Sequence, residues 1–339
     1  MGSRDVLTLN GGDVRFLLEG REHELLAAIA AAYKAHGRGE SSLPHSLFLR
    51  FPADERNRII ALPAYLGDGF GIAGVKWISS FPANLEKGLN RATGVIILNS
   101  AQTGQPQVIM EGSLVSAKRT AAGAALAAMH LTAQREPPRS VGMIGCGPIN
   151  FEVTRFLLTV WPELKSFCVF DVNAERAEQF GQKCRRLNED VEIEVTTELS
   201  TVLRKSQLIS LATSATTPHI FALSECAPGS TILHLSLRDL SPEVILSCDN
   251  VVDDVGHVCR AQTSVHLAEQ LIGSRDFIRC ALPEILEGTA ISKRDEQAVT
   301  VFSPFGLGVL DLAVAQLVVE LASEQNRGTL LENFLPIPD

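Results

Sequence analysis

Hydrophobic positions change their spacing several times along the chain, and each change marks an element. From Glu22 to His36 the sequence EHELLAAIAAAYKAH is rich in Ala and Leu and is followed by Gly37, which predicts a helix with a glycine cap. Between Arg58 and Met110 the apolar runs shorten. RIIALPAYLG, FGIAGVKWISS and ATGVIILN are β-branched stretches separated by Gly and Pro, the pattern of a sheet. The polar FPANLEKGLNR between the last two is too irregular to predict an element. Arg119–Leu131 (RTAAGAALAAMHL) is strongly helical again.

At Ala133–Ser140 the segment AQREPPRS reads as a surface turn or linker, and beyond it strands and helices alternate. VGMIG is a short strand, Ile149–Val160 a helix, FCVFD a strand and Ala174–Leu187 an amphipathic helix. EIEV, LISLAT, TILHLS and NVVDD follow as short strands. Alternation on this scale implies a parallel, doubly wound α/β sheet. Val258–Ile272 is helical by period, Ser274–Asp295 reads as surface connection, and Leu307–Glu324 is a long apolar helix expected to pack back on the first domain.

Composition narrows the function classes. The 339 residues are 45% hydrophobic, too apolar for a disordered chain and long enough for about two domains. Thirty Lys and Arg against thirty-nine Asp and Glu leave a net charge of −9, which argues against a dedicated nucleic-acid binder. No apolar run approaches a membrane span, and Met1–Leu9 lacks the continuous apolar core of a signal peptide. Seven scattered cysteines without a C-x-x-C pair exclude a disulfide framework and fit a reducing cytoplasm. The eight histidines show no H-x-x-x-H or H-E-x-x-H spacing, so no metal site is expected.

The most specific local motif is VGMIGCGPIN. Gly145 and Gly147 follow a predicted strand and open a predicted helix, where glycines permit a tight turn and the approach of a pyrophosphate to the helix N-terminus. Pro148 and Ile149 form the first helical turn of that site. Asn150 stands where G-x-G-x-x-G has its third glycine. Asp171 ends the FCVFD strand 26 residues after Gly145, where a carboxylate accepts from both ribose hydroxyls of NAD and repels the 2′-phosphate of NADP. As a competing role, an Asp there also serves as a cap for the helix that follows.

The blocks GIAGVKWISSFPANLEKGLNRATGVIILN, VIMEGSLVSAKRTAAGAALAA, LSLRDLSPEV and VFSPFGLGVLDLA resemble the ornithine cyclodeaminase/mu-crystallin family, and within it the branch that makes 2,3-diaminopropionate. The resemblance covers nearly the whole chain. It implies a Rossmann domain over residues 121–304 that binds NAD. An α+β substrate-binding and dimerisation domain would be formed by both chain ends, 1–120 with 305–339. In that branch N-(1-amino-1-carboxy-2-ethyl)-glutamate gives a hydride from its glutamyl Cα to NAD⁺. Water then hydrolyses the imine, releasing 2,3-diaminopropionate and 2-oxoglutarate, and a PLP-dependent β-replacement synthase is the pathway partner.

Carried over residue by residue, the resemblance makes Lys76 the active-site lysine and Asp239 the catalytic aspartate. Arg119 grips a substrate carboxylate, and Arg91 lines the substrate pocket. Thr120 lies at the cofactor phosphates, and Thr213 and Ser236 join the cofactor site. Taken singly, a Lys beside a Trp is commonly a surface cation, and an Arg at a helix start or an Asp in a turn serves capping or solubility. Where cyclodeaminases carry a first-domain arginine this chain has Ser46, so either Arg50 replaces it or the pocket accepts a differently placed acid. Leu237-Arg238 replaces a Gly-Gly pair, and Arg238 would suit an acidic substrate.

The chemistry suits a small-molecule amino-acid conjugate with three carboxylates, since arginine offers a planar fork for each. Asp239 is expected to act as a base if burial lifts its pKa toward the working pH. His234 reads as a buried strand histidine. Three other activities remain open at this level: an amino-acid cyclodeaminase that recycles NAD internally, a ketimine reductase, and a binding protein that keeps the cofactor without turnover.

Overall fold

The computed structural model describes residues 4–133, 135–291, 295 and 297–337. In chain order they form β1 (Val6–Leu9), α1 (Gly11–Leu18), α2 (Glu22–Gly37), β2 (Ser41–Ser42), β3 (Leu47–Phe51), β4 (Asp54–Leu66), β5 (Ile72–Ser80), β6 (Gly94–Ser100), β7 (Pro106–Glu111) and α3 (Ser113–Leu131). Then follow β8 (Ser140–Ile144), α4 (Pro148–Val160), β9 (Ser166–Phe170), α5 (Ala174–Arg185), β10 (Glu192–Val195), α6 (Leu199–Lys205), β11 (Leu208–Leu211), β12 (Thr231–His234), α7 (Pro242–Leu246) and β13 (Asp249–Val252). The chain ends with α8 (Val255–Val258), α9 (Ser264–Ile272), β14 (Ile278–Ala281), α10 (Leu282–Leu286), β15 (Thr300–Ser303), α11 (Gly308–Glu324) and β16 (Thr329–Leu331). Contacts divide it into two compact units, residues 1–119 with 307–339, and residues 120–306.

The first unit is α+β, built on a sheet of order β16-β1-β7-β6-β5-β4-β2, with β3 also paired to β4. β1 runs antiparallel to β16, so hydrogen bonds tie the two chain ends into one sheet. Alternation along β4, β5 and β6 gives the sheet two unlike faces. Leu62, Leu66, Ile96 and Leu98 point to the buried face, which α2 and the apolar α11 cover. Leu47, Trp77 and Val95 lie on the other face and stay exposed. The long terminal helix packs on its own unit, as its apolarity led one to expect.

The second unit is the Rossmann-type doubly wound sheet, of order β10-β9-β8-β11-β12-β15-β13-β14, and every pairing in it is parallel. β11, β12 and β15 are buried at each position, as strands covered on both faces require.

Several sequence expectations change. FPANLEKGLNR contains a 3₁₀ helix over Pro82–Lys87. Gly37 ends inside α2, and the left-handed turn falls at Gly39. α3 begins at Ser113, because the Glu111 carboxylate accepts from the Ser113 and Leu114 backbone N–H groups at 2.7 and 2.9 Å. Arg119 is therefore inside a helix, not at its start. Val258–Ile272 breaks into α8 and α9, since Ala261 and Gln262 adopt φ of 53° and 55° between them. Ser274–Asp295 holds β14 and α10 as well as connection; its residues 292–294 lie outside the described ones. α5 ends at Arg185, and α1, α6, α7 and β15 had no counterpart in the sequence reading.

Candidate active site

In the first unit, β5 presents Lys76 to the buried face between Leu62 and Ile96 of its neighbours. Its ammonium is 2% exposed and donates to Asp311 Oδ2 at 2.6 Å and to Ser116 Oγ at 3.1 Å. Asp311 lies in the first turn of α11, completely buried, and its other oxygen accepts from Arg119 Nε at 3.1 Å. Ser116 stands one helical turn before Arg119 on α3 and accepts from Arg119 Nη2 at 3.4 Å. Two cations thus share one carboxylate. Burial and then the Arg119 charge push the Lys76 pKa down to about 8, partly countered by Asp311. Its proton is therefore exchangeable near neutrality.

Of the other cations named from the sequence, Arg50 is exposed on β3 with its guanidinium 5.7 Å from the Phe48 ring centre. Arg91 follows the 3₁₀ helix, and burial lowers its pKa. Arg238 donates from Nη2 to the Ala261 carbonyl at 2.6 Å.

In the second unit, Asp239 follows β12 in a loop fixed at both ends. Its carbonyl accepts from the His219 and Ile220 N–H groups, each at 2.9 Å. Its carboxylate is wholly buried and accepts from the hydroxyls of Thr213 and Ser236. His234 Nε2 lies 3.3 Å from Asp239 Oδ2 and 3.2 Å from the Asp239 backbone N. Unprotonated, that nitrogen accepts from the backbone N–H; protonated, it donates to the carboxylate. The opposite ring nitrogen, Nδ1, is 3.2 Å from Ser303 Oγ, and His219 Nε2 is 3.8 Å from Asp239 Oδ1.

This overturns the expected pKa of Asp239. Burial does raise it, but hydrogen bonding and charge from His234, with the Ser236 and Thr213 hydroxyls, outweigh burial and bring it down to about 2. Asp239 is a buried carboxylate held ionised, with the His234 ring beside it.

The glycine loop lies in the same unit. Gly145 has φ 89°, and a Cβ there would stand 2.6 Å from the Ala212 carbonyl oxygen, so only glycine fits the turn. Gly147 is extended at the N-cap of α4, and a Cβ there would meet open space. Pro148 and Ile149 follow in the first turn, leaving uncapped N–H groups where an anion would sit. Asp171 Oδ2 accepts from Cys146 N at 2.8 Å and Oδ1 from Asn173 N at 2.9 Å, with Arg176 at 3.5 Å. Asn173, not Asp171, caps α5. Asn150 is buried; its amide donates to Gly145 O at 2.7 Å and accepts from Ser210 Oγ at 2.7 Å, bracing the loop against β11. This loop, open in front of Gly147 with a carboxylate behind it, fits a dinucleotide. Thr120 is the first residue of the unit, within α3.

Asp311, Ser116 and the His234–Asp239 contact escaped the sequence reading. Asp311 did leave a signal: it is the sole charge in the apolar run LGVLDLAVAQLVV, and a buried carboxylate needs a cationic partner.

The ornithine cyclodeaminase/mu-crystallin family profile matches residues 14–326. The chain is 27% identical over 338 residues to N-((2S)-2-amino-2-carboxyethyl)-L-glutamate dehydrogenase of Staphylococcus aureus, covering 98% of this chain and 100% of that protein. Among solved structures, Δ¹-pyrroline-2-carboxylate reductase of Thermococcus litoralis with NADH and L-proline superposes with a TM-score of 0.88 at 25% identity, covering 96% of this chain and 99% of that one. A dimeric archaeal alanine dehydrogenase with bound NAD gives 0.86 at 25% identity, covering 97% and 99%.

Proposed function

The chain belongs to the ornithine cyclodeaminase/mu-crystallin family. From that premise we propose that it catalyses NAD-dependent oxidative hydrolysis of N-(1-amino-1-carboxy-2-ethyl)-glutamate to 2,3-diaminopropionate and 2-oxoglutarate. Its relatives are dehydrogenases and reductases of amino-acid C–N bonds, and it is an NAD-dependent oxidoreductase of the same class.

Bound NAD⁺ supplies the hydride acceptor. Gly145, Gly147, Pro148 and Ile149 with the α4 N-terminus hold its pyrophosphate, Thr120 adds a hydroxyl to the phosphates, and Asp171 takes the ribose hydroxyls. Thr213 and Ser236, first assigned to the cofactor, act here through Asp239, to which their hydroxyls donate. Arg119 retains guanidinium donors beyond those given to Asp311 and Ser116, and with Lys76 it grips a substrate carboxylate.

Loss of hydride from the carbon beside a neutral secondary amine leaves an iminium cation. The observation that carries the reading is the completely buried Asp239 carboxylate, which accepts from the Thr213 and Ser236 hydroxyls and lies 3.3 Å from His234 Nε2; these contacts favour its charged form, a negative charge suited to that cation. Water then adds to the iminium carbon and loses a proton, and the C–N bond breaks to give ketone and amine. One proton is released per turnover, and His234 beside Asp239 can receive it. The seven free cysteines suit the reducing cytoplasm in which we place the enzyme. The exposed apolar sheet face of the first unit suits a homodimer. Its substrate would come from a PLP-dependent β-replacement synthase, for siderophore or peptide natural-product biosynthesis.

The test incubates the protein with NAD⁺ and the conjugate and follows NADH and 2-oxoglutarate. Equimolar formation is expected. Conversion of ornithine to proline with no net NADH, and no reaction of the conjugate, would overturn the reading in favour of a cyclodeaminase.

A further inference from the structure

Lys76 shares its sheet face with a second group of cations. Arg50 on β3 stands directly opposite Arg58 on β4, and Arg58 directly opposite Ser80 on β5. Like charges facing each other across strands destabilise a sheet, so this row favours an anion. Ser80 is 8% exposed, and its hydroxyl has no hydrogen-bond partner among the described residues. Phe81, next along, packs edge-on against Phe51 with ring centres 5.2 Å apart, which holds the ends of β3 and β5 together. Its N–H donates to the Arg91 carbonyl at 2.8 Å, and so brings Arg91 alongside the row. Arg91 Nε is buried and also lacks a hydrogen-bond partner. Among the described residues no carboxylate pairs with Arg50 or Arg91. Ser80 lies four residues beyond Lys76 on the same strand, about 13 Å along it, a gap that long cationic side chains narrow from both sides.

We infer that Arg58, with Arg50, Arg91 and Ser80, forms a second carboxylate subsite in the first unit, separate from the Lys76–Arg119 cluster and selecting substrates with a remote carboxylate. This rests on the proposed reaction. Arg58 and Ser80 become its specificity residues, and the ligand class becomes amino acids that carry an additional acid away from the reacting carbon. The buried Arg91 Nε and Ser80 hydroxyl, left unsatisfied, penalise any analogue lacking that acid, which gives stronger discrimination than a hydrophobic pocket achieves.

The experiment measures NADH formation by the full-length protein and by Arg58→Gln, Arg91→Gln and Ser80→Ala. Arg56→Gln is the control, since Arg56 on the same strand is exposed and paired with Asp54. The substrates are N-(2-amino-2-carboxyethyl)-L-glutamate and its γ-carboxamide. KM for the tricarboxylate should rise by tenfold to about a hundredfold in the arginine variants, with kcat within about twofold. The carboxamide should show that loss with wild type already and be indifferent to the substitutions, and Arg56→Gln should match wild type. Equal losses on both substrates, or none, would overturn the subsite. If Arg58→Gln fails to fold by thermal melting, Arg91→Gln and Ser80→Ala decide.

If wild type does not turn over the conjugate, the reaction reading fails and calorimetry with tricarballylate decides the subsite. Binding weakened at least about tenfold by Arg58→Gln and unaffected by Arg56→Gln sustains it. No binding, or binding indifferent to Arg58, sinks it.

Discussion

Lys76 Nζ lies 2.6 Å from Asp311 Oδ2, and both groups are buried. The carboxylate is the main influence holding the proton on a lysine whose burial and Arg119 neighbour pull its pKa down to about 8. Asp311 thus fixes the Lys76 ammonium and the Arg119 guanidinium relative to each other.

Removing that charge has a signed consequence. If protonated Lys76 grips a substrate carboxylate, kcat/KM in wild type should fall as pH rises through about 8. In Asp311→Asn the influence that raises the lysine pKa is gone, so this alkaline limb should move to lower pH. Two buried cations without their counter-charge should also cost about 3 kcal/mol of stability. Parallel pH-rate profiles and denaturant melts check both, and an unmoved alkaline limb would show that Asp311 is only structural.

The His234–Asp239 contact supports a second prediction. His234 is the strongest influence lowering the Asp239 pKa, against a burial effect that raises it. In His234→Leu burial should dominate, and the acid limb of kcat/KM should rise by at least about one pH unit. His234→Gln restores a hydrogen bond without the imidazole and should return the limb part of the way. Identical profiles for the three proteins would remove His234 from the reaction.

How much of this was legible in the sequence depends on distance along the chain. Gly145, Gly147 and Asp171 were readable because a strand, a tight turn and a helix N-terminus follow local rules that glycine and carboxylate chemistry enforce. The Lys76–Asp311 pair was not, because 235 residues separate its members and only tertiary packing joins them. His234 looked like strand core because its alternation is that of a buried strand, and its second role depends on a loop that turns back toward it. The break between α8 and α9 was hidden for a different reason: its left-handed residues are Ala261 and Gln262, which carry no turn signature.

Cofactor choice supplies a third prediction. Asp171 braces the glycine loop through Cys146 N and stands 3.5 Å from Arg176. Asp171→Asn keeps an acceptor but removes the charge that repels a 2′-phosphate and that occupies Arg176. KM for NAD⁺ should rise about tenfold, and NADP⁺ should become a substrate with Arg176 available to its phosphate. Steady-state kinetics with both cofactors check it. An unchanged NAD⁺ KM would mean that Asp171 serves only to hold the loop.

The fourth prediction concerns the sheet face that α2 and α11 leave uncovered. Leu47, Ala61, Trp77 and Val95 stand opposite one another across β3, β4, β5 and β6. Trp77 is 42% exposed and Leu47 69%, a contiguous apolar row of the kind that marks a protein interface. A second copy offering the same row would bury it by two-fold symmetry, which self-complementary patches favour. Trp77→Glu places a charge at the centre of that row while leaving the Lys76 face of the sheet untouched. Light scattering should show a dimer for wild type and a monomer for the variant, with the variant still melting cooperatively. A wild-type monomer, or a variant that remains dimeric, would mean that this face is not the interface.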